Sequence, residues 1–178
     1  MPKHTYKRVI VVFKRTKYEL DLETYGSLEA YKLVTKHKED VFLRTYASHE
    51  RQILSRDYLR KNVFPSADFV FREDFDNNTH LHDYDLVVSH GGDNHFTYVA
   101  HQIGRTHLIG CNSDPLSSVG ALLGFTAEEL EQVVQNDFST TELEEWSLIL
   151  TEIEYPDGIK IQTVPAICEV SLRNNSPD

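Results

Sequence analysis

The feature that most constrains this chain is a short apolar run, Leu86-Val87-Val88, leading through Ser89-His90 into Gly91-Gly92-Asp93-Asn94. A stretch of helical character follows, His95 to Ile103, with Gly104 placed to end it. Strand, paired glycines and helix in that order fit the carboxyl edge of a parallel sheet. Glycine has no Cβ, so a sharp turn is expected at Gly91 and Gly92, with room for a phosphate close to the main chain. The helix directs its free N–H groups and positive dipole end at the same spot, and open α/β sheets bind ligands outside the carboxyl ends of their strands. Asp93, placed there, is a candidate to accept a proton from an attacking hydroxyl or to orient a Mg²⁺-bound phosphate. The plainer alternative is a tight turn with Asp93 as the helix N-cap.

Strands and helices alternate through most of the sequence. Arg8 to Phe13 is a β-branched run that predicts a buried strand, after which Lys14-Arg15-Thr16-Lys17-Tyr18-Glu19 leaves the sheet. Ser27 caps a helix with Leu28, Tyr31 and Val34 on one face, and Glu50 to Lys61 carries a second helical stripe. Ala67 to Phe71 reads as a strand, and Asp76-Asn77-Asn78 as a turn within a polar loop. Leu108-Ile109-Gly110-Cys111 is a further strand; Thr126 and Glu129 form a capping box ahead of Leu130, Val133 and Val134. The alternation predicts an α/β domain with a parallel sheet over residues 1–140. Beyond Ser139 the texture changes. Trp146 to Tyr155 partly alternates, Pro156-Asp157-Gly158 is a turn, Ile159 to Thr163 returns as a hairpin, and Ala166 to Leu172 reads as another strand. Residues 141–178 are therefore expected to begin a β-rich second domain, apparently truncated, with Trp146 in a core.

Charge narrows the ligand. Residues 1–105 carry 16 basic and 15 acidic groups (16 − 15 = +1), residues 106–178 carry 2 and 13 (2 − 13 = −11), and no Lys or Arg occurs from Thr106 to Ile159. So acidic a second half argues against a nucleic-acid groove, which needs a basic stripe. A phosphate-bearing ligand must be met by backbone N–H groups, a metal ion, or the basic groups of the first half. No apolar run approaches the roughly 20 residues of a membrane helix. The basic start, Met1 to Arg8, lacks a cleavage site, so the chain is expected to be soluble and cytoplasmic. Cys111 and Cys168 are expected as reduced, buried thiols. Of nine histidines, no pair has HExxH spacing, so they read as hydrogen-bonded or solvent-facing rather than metal-binding.

The stretch His90-Gly91-Gly92-Asp93-Asn94-His95-Phe96 and the following Leu108-Ile109-Gly110-Cys111-Asn112-Ser113-Asp114-Pro115 together resemble the NAD kinase family. That family's motif is Gly-Gly-Asp-Gly-Thr, followed by a strand ending in Gly-hydrophobic-Asn. Lys14 to Glu19 and the Asn-Ser-Asp-Pro stretch look closest to mitochondrial-type NAD kinases and their bacterial relatives, and Pro165-Ala166-Ile167-Cys168-Glu169-Val170 is similar to the family's Ala-Leu-Asn-Glu-Val segment. The resemblance implies a nucleotide-binding domain of the NAD kinase/diacylglycerol kinase type, followed by the start of a β-rich domain. It implies transfer of the ATP γ-phosphate to the 2′-hydroxyl of the adenosine ribose of NAD, with Mg²⁺, in a homo-oligomer. Asp93 matches the motif aspartate, read as the base; Gly91 and Gly92 match the phosphate-approach glycines, and Glu169 the glutamate that binds ribose hydroxyls. Asn94 stands at the fourth-position glycine, where asparagine tolerates positive φ, and His95 stands at the threonine, as a candidate phosphate contact. Asn112 and Asp114 complete the implied nucleotide-binding set. A non-catalytic nucleotide-binding regulator on the same fold is the alternative.

Overall fold

The computed structural model describes residues 6–36, 38–75, 79–163 and 165–167. The chain divides into two units, Met1–Thr141 and Glu142–Asp178.

The first unit is α/β. Its strands β1 (Val9–Phe13), β2 (Asp68–Phe71), β3 (Leu86–Gly91) and β4 (His107–Asn112) form one sheet in the order β2-β1-β3-β4. Every pairing in it is parallel. This is a doubly wound order: the chain steps one way from β1 to β2 and the other way from β1's far side, β3, to β4. Right-handed crossovers then place helices on both faces. The side chains agree. Val11, Phe13, Leu86 and Val88 pack with Leu59, Val63, Leu130 and Val133 on one face, while Ile10, Val12 and Val87 pack with Leu81, Val99 and Ile103 on the other. Val11, Val12, Val87 and Val88 are fully buried, each contributing about 1.5–3 kcal/mol of burial free energy.

The helices are α1 (Lys17–Tyr25), α2 (Leu28–Val34), α3 (Glu39–Tyr58), α4 (Asp93–Ala100) and α5 (Ala127–Gln135). Helix α1 forms where Lys14 to Glu19 is expected only to leave the sheet. It is specified by a capping box, Thr16 with Glu19, and stopped by Gly26 at φ 73°. Helix α3 is far longer than the expected Glu50–Lys61 and runs into a π-helical turn, Leu59–Val63. Asp76-Asn77-Asn78 lie outside the described residues.

In the second unit β5 (Glu152–Glu154) and β6 (Lys160–Gln162) form an antiparallel hairpin, with an isolated bridge between Ile149 and Ala166. Gly158, at φ 83°, makes the turn. Ile159 and Ile161 stay about half exposed, and Trp146, expected in a core, is 46% exposed. A unit this small buries little of its own apolar surface. The stretch from Cys168 onward lies outside the described residues.

Candidate functional site

The sheet order reverses direction between β1 and β3, so the crevice at their carboxyl ends is the switch point where such sheets take ligands. Lys14 to Thr16 leaves β1 there and Gly92-Asp93 leaves β3. The first segment is pinned by Arg56, which is buried: its guanidinium donates to both Glu19 carboxylate oxygens at 3.0 and 3.1 Å and to the Lys14 carbonyl at 3.2 Å. Thr16 Oγ1 is also bonded to His49 Nδ1 at 2.8 Å. Burial alone would raise the Glu19 carboxyl; hydrogen bonds from Arg56 and Thr16 overcome it and hold it below its ordinary value. Arg56, Glu19 and His49 escaped sequence reading because they meet only in three dimensions, although the capping box itself was legible at Thr16 and Glu19.

The two glycines do different work from the sharp turn expected of them. Strand β3 continues through Ser89, His90 and Gly91, and Gly92 is the N-cap of α4 in an extended conformation, φ −118°. Neither glycine has positive φ. Gly91 is required by packing, because a Cβ there would lie 2.6 Å from His95 Cδ2. A Cβ on Gly92 would meet nothing within 4 Å, so the main chain is open to an approaching group at that residue.

Asp93 is the first residue of α4, so it is not the N-cap. Its carboxylate accepts N–H bonds from Ala121 at 2.9 Å and Leu122 at 3.0 Å, one on each oxygen. Asn94 is exposed and helical; no positive φ is called for. His95 is not brought to the surface where a phosphate would sit. It is fully buried with Nε2 bonded at 3.0 Å to the Val12 carbonyl, on the face opposite α3. His90 is buried on the other face, with Nε2 bonded to Ser55 Oγ at 2.9 Å and its ring edge-on to Phe13. Burial pushes His90 down to about 3, with the Arg56 charge adding to it. It pushes His95 down to about 4, against the opposing pull of the Val12 bond. Both imidazoles are neutral parts of the core.

At the end of β4, Asn112 and Asp114 are buried and committed to the protein itself. Asn112 Nδ2 donates to the carbonyls of Ser118 and Val119 at 2.8 and 3.0 Å, and its Oδ1 accepts the Asp114 N–H at 3.0 Å. Asp114 receives Arg51 in bidentate fashion, at 2.7 and 3.0 Å, together with the hydroxyls of Ser48 and Ser117. Burial would raise this carboxyl, yet the bonds from Arg51, Ser117 and Ser48 hold it at about 2. Cys111, in β4, is a buried free thiol whose ionisation burial pushes up. Glu169 and Cys168 lie outside the described residues. Among the described residues no three His, Cys, Asp or Glu side chains gather as a metal cage, and no helix is long and apolar enough to cross a membrane.

The arrangement defines a parallel α/β domain, compatible with nucleotide binding, whose open approach lies at Gly92 and Asp93. Set against known protein families and curated proteins, the chain matches none.

Proposed function

We propose that the first unit is the nucleotide-binding domain of an ATP-dependent NAD kinase. The observation that carries the reading is the bare main chain at Gly92 beside the Asp93 carboxylate, at the carboxyl end of β3 and the head of α4. A phosphate can approach Gly92 without meeting a side chain, and the N–H groups of Asp93 and Asn94 at the head of α4 attract it. In the proposed reaction the ribose 2′-oxygen of NAD forms a bond to the γ-phosphorus of ATP and the bond to the β-phosphate oxygen breaks. ADP leaves, and the hydroxyl proton passes to Asp93. Mg²⁺ arrives on the ATP phosphates as part of the substrate. Held there by substrate phosphates and water, Mg²⁺ needs no protein cage, and Asp93 is left to act as the base. Four arginines of the first unit are already matched by carboxylates, Arg15 by Glu23 and Asp74, Arg51 by Asp114, Arg56 by Glu19 and Arg72 by Glu73, while Arg60 lies over the rings of Phe13 and Phe69. Charge neutralisation is left to backbone N–H groups, to Lys14 and Arg60, and to the substrate's own metal.

The test is NADP formation from ATP, Mg²⁺ and NAD by the whole chain, with NAD binding measured beside it by calorimetry. NADP production supports the reading. Binding without NADP supports the non-catalytic alternative, which the internal bonding of Asp93 and the burial of His95 favour. Neither binding nor turnover removes both.

A further inference from the structure

The segment from Ser113 to Gly124 leaves the end of β4 and comes back to it: Asn112 N–H donates to the Phe125 carbonyl at 2.7 Å, and Phe125 is bridged in parallel to Cys111. Its ends are therefore closed like the neck of an Ω-loop. The loop is fastened at two separate points. Its first half is fixed to the strand by Asn112 and to α3 by the Arg51–Asp114 pair with Ser48 and Ser117. Its second half is held at Ala121 and Leu122 by the Asp93 carboxylate, beyond the end of the neighbouring strand β3. Within the first half the side chains of Leu116 and Val119 are 81% and 90% exposed. Gly120, at φ 72°, and Gly124, with open space around it, flank the Asp93-bound residues and supply hinge positions. The buried Leu123 seats this half against Gly110, where a Cβ would lie 2.9 Å from its Cδ2.

We infer that Ser113–Gly124 is a strap across the carboxyl ends of β3 and β4, latched shut by Asp93, and that a ribose hydroxyl engaging Asp93 loosens this latch. The coupling rests on the proposed site; the latch itself does not. Both Asp93 oxygens are bonded to consecutive loop N–H groups, and a hydroxyl that bonds the same carboxylate and passes it a proton withdraws the charge that strengthens those bonds. The fastenings at Asp114, Ser118 and Val119 all precede Gly120, so the segment that loosens is Ala121–Leu122, while the first half stays tethered at Asn112.

Amide hydrogen exchange, resolved by NMR, tests both parts. In the free protein, Asp93→Ala removes two bonds to a charged acceptor, and exchange at Ala121 and Leu122 accelerates by about 10-fold or more. Asp93→Asn, which keeps one acceptor oxygen, gives a smaller acceleration. The Asp114 amide, bonded to Asn112, keeps its wild-type rate in both variants. Unchanged exchange at Ala121 and Leu122 in Asp93→Ala overturns the latch, as does equal acceleration at Asp114. NAD is then added to the wild type to saturation, with occupancy established by calorimetry. Faster exchange at Ala121 and Leu122 alone supports the coupling. Bound NAD with unchanged or slower exchange there overturns it while leaving the site intact. Failure of NAD to bind overturns the site and the coupling together, and the latch is then decided by the free-protein rates.

Discussion

The carboxyl ends of β3 and β4 lie side by side in the sheet, with Gly91 paired to Asn112, and both carry an aspartate just beyond the strand. They have opposite characters. Asp114 is buried and its two oxygens receive four donors from Arg51, Ser48 and Ser117. Asp93 is half-buried, bonds only two backbone N–H groups, and sits beside a glycine with nothing above it. A saturated carboxylate holds a fold together; one with spare acceptor capacity next to open main chain has something left to offer a ligand. The difference lies in the partners, which local sequence does not reveal.

The largest expected effect separates the core beneath β3 from the end of β4 by pH. His90 and His95 have folded values of about 3 and about 4, both below the ordinary 6.5. The unfolded chain therefore takes up protons first, and stability falls as pH drops below about 6.5. Between pH 6.5, where an unfolded histidine is half protonated, and pH 5, the two histidines together cost about 3 kcal/mol. Asp114 has a folded value of about 2 against an ordinary 3.8, so its stabilisation persists until pH falls below about 4. Urea unfolding at pH 6.5 and pH 5 checks this, and His95→Gln reduces the slope between them. A pH-independent stability over that interval contradicts the burial of both imidazoles.

Asp114→Ala comes next. It strips Arg51, Ser48 and Ser117 of their shared acceptor and costs about 3 kcal/mol, read as a lowered urea midpoint. The loss is below the upper range for buried pairs because Arg51 is 35% exposed and regains water. A change under about 0.5 kcal/mol breaks the contrast between the two aspartates. Gly91→Ala forces a Cβ into the His95 ring and costs about 2 kcal/mol by overpacking. The same assay shows it, alongside a change in the His95 ring resonances.

Much of this was legible in the sequence. The four parallel strands, the cap at Thr126 and the hairpin around Gly158 follow from β-branched runs, Thr-x-x-Glu spacing and turn glycine, because those signals are local. Helix α1 was missed although its Thr16-x-x-Glu19 box has the same spacing as the one at Thr126. The N-terminal half of α3, Glu39 to His49, was missed because its stripe is aromatic rather than aliphatic: Phe42 and Tyr46 pack with Tyr18 and Tyr31 from α1 and α2. At the site, the motif showed which residues cluster in sequence but not which way each one faces. Gly91 and His95 face the core, while Gly92, Asp93 and Asn94 face outward, because β3 extends to Gly91 and α4 begins only at Asp93.

Gly92→Val has the smallest structural effect and bears most directly on the central claim. The backbone there is extended and a side chain meets open space, so stability changes by less than about 1 kcal/mol, mostly from the N-cap. The measurement is NAD affinity and NADP formation by Gly92→Val beside its melting temperature. The account predicts a near-wild-type melting temperature with binding and turnover reduced by at least 100-fold. Wild-type nucleotide handling by a folded Gly92→Val protein would mean that ligands do not approach at the end of β3.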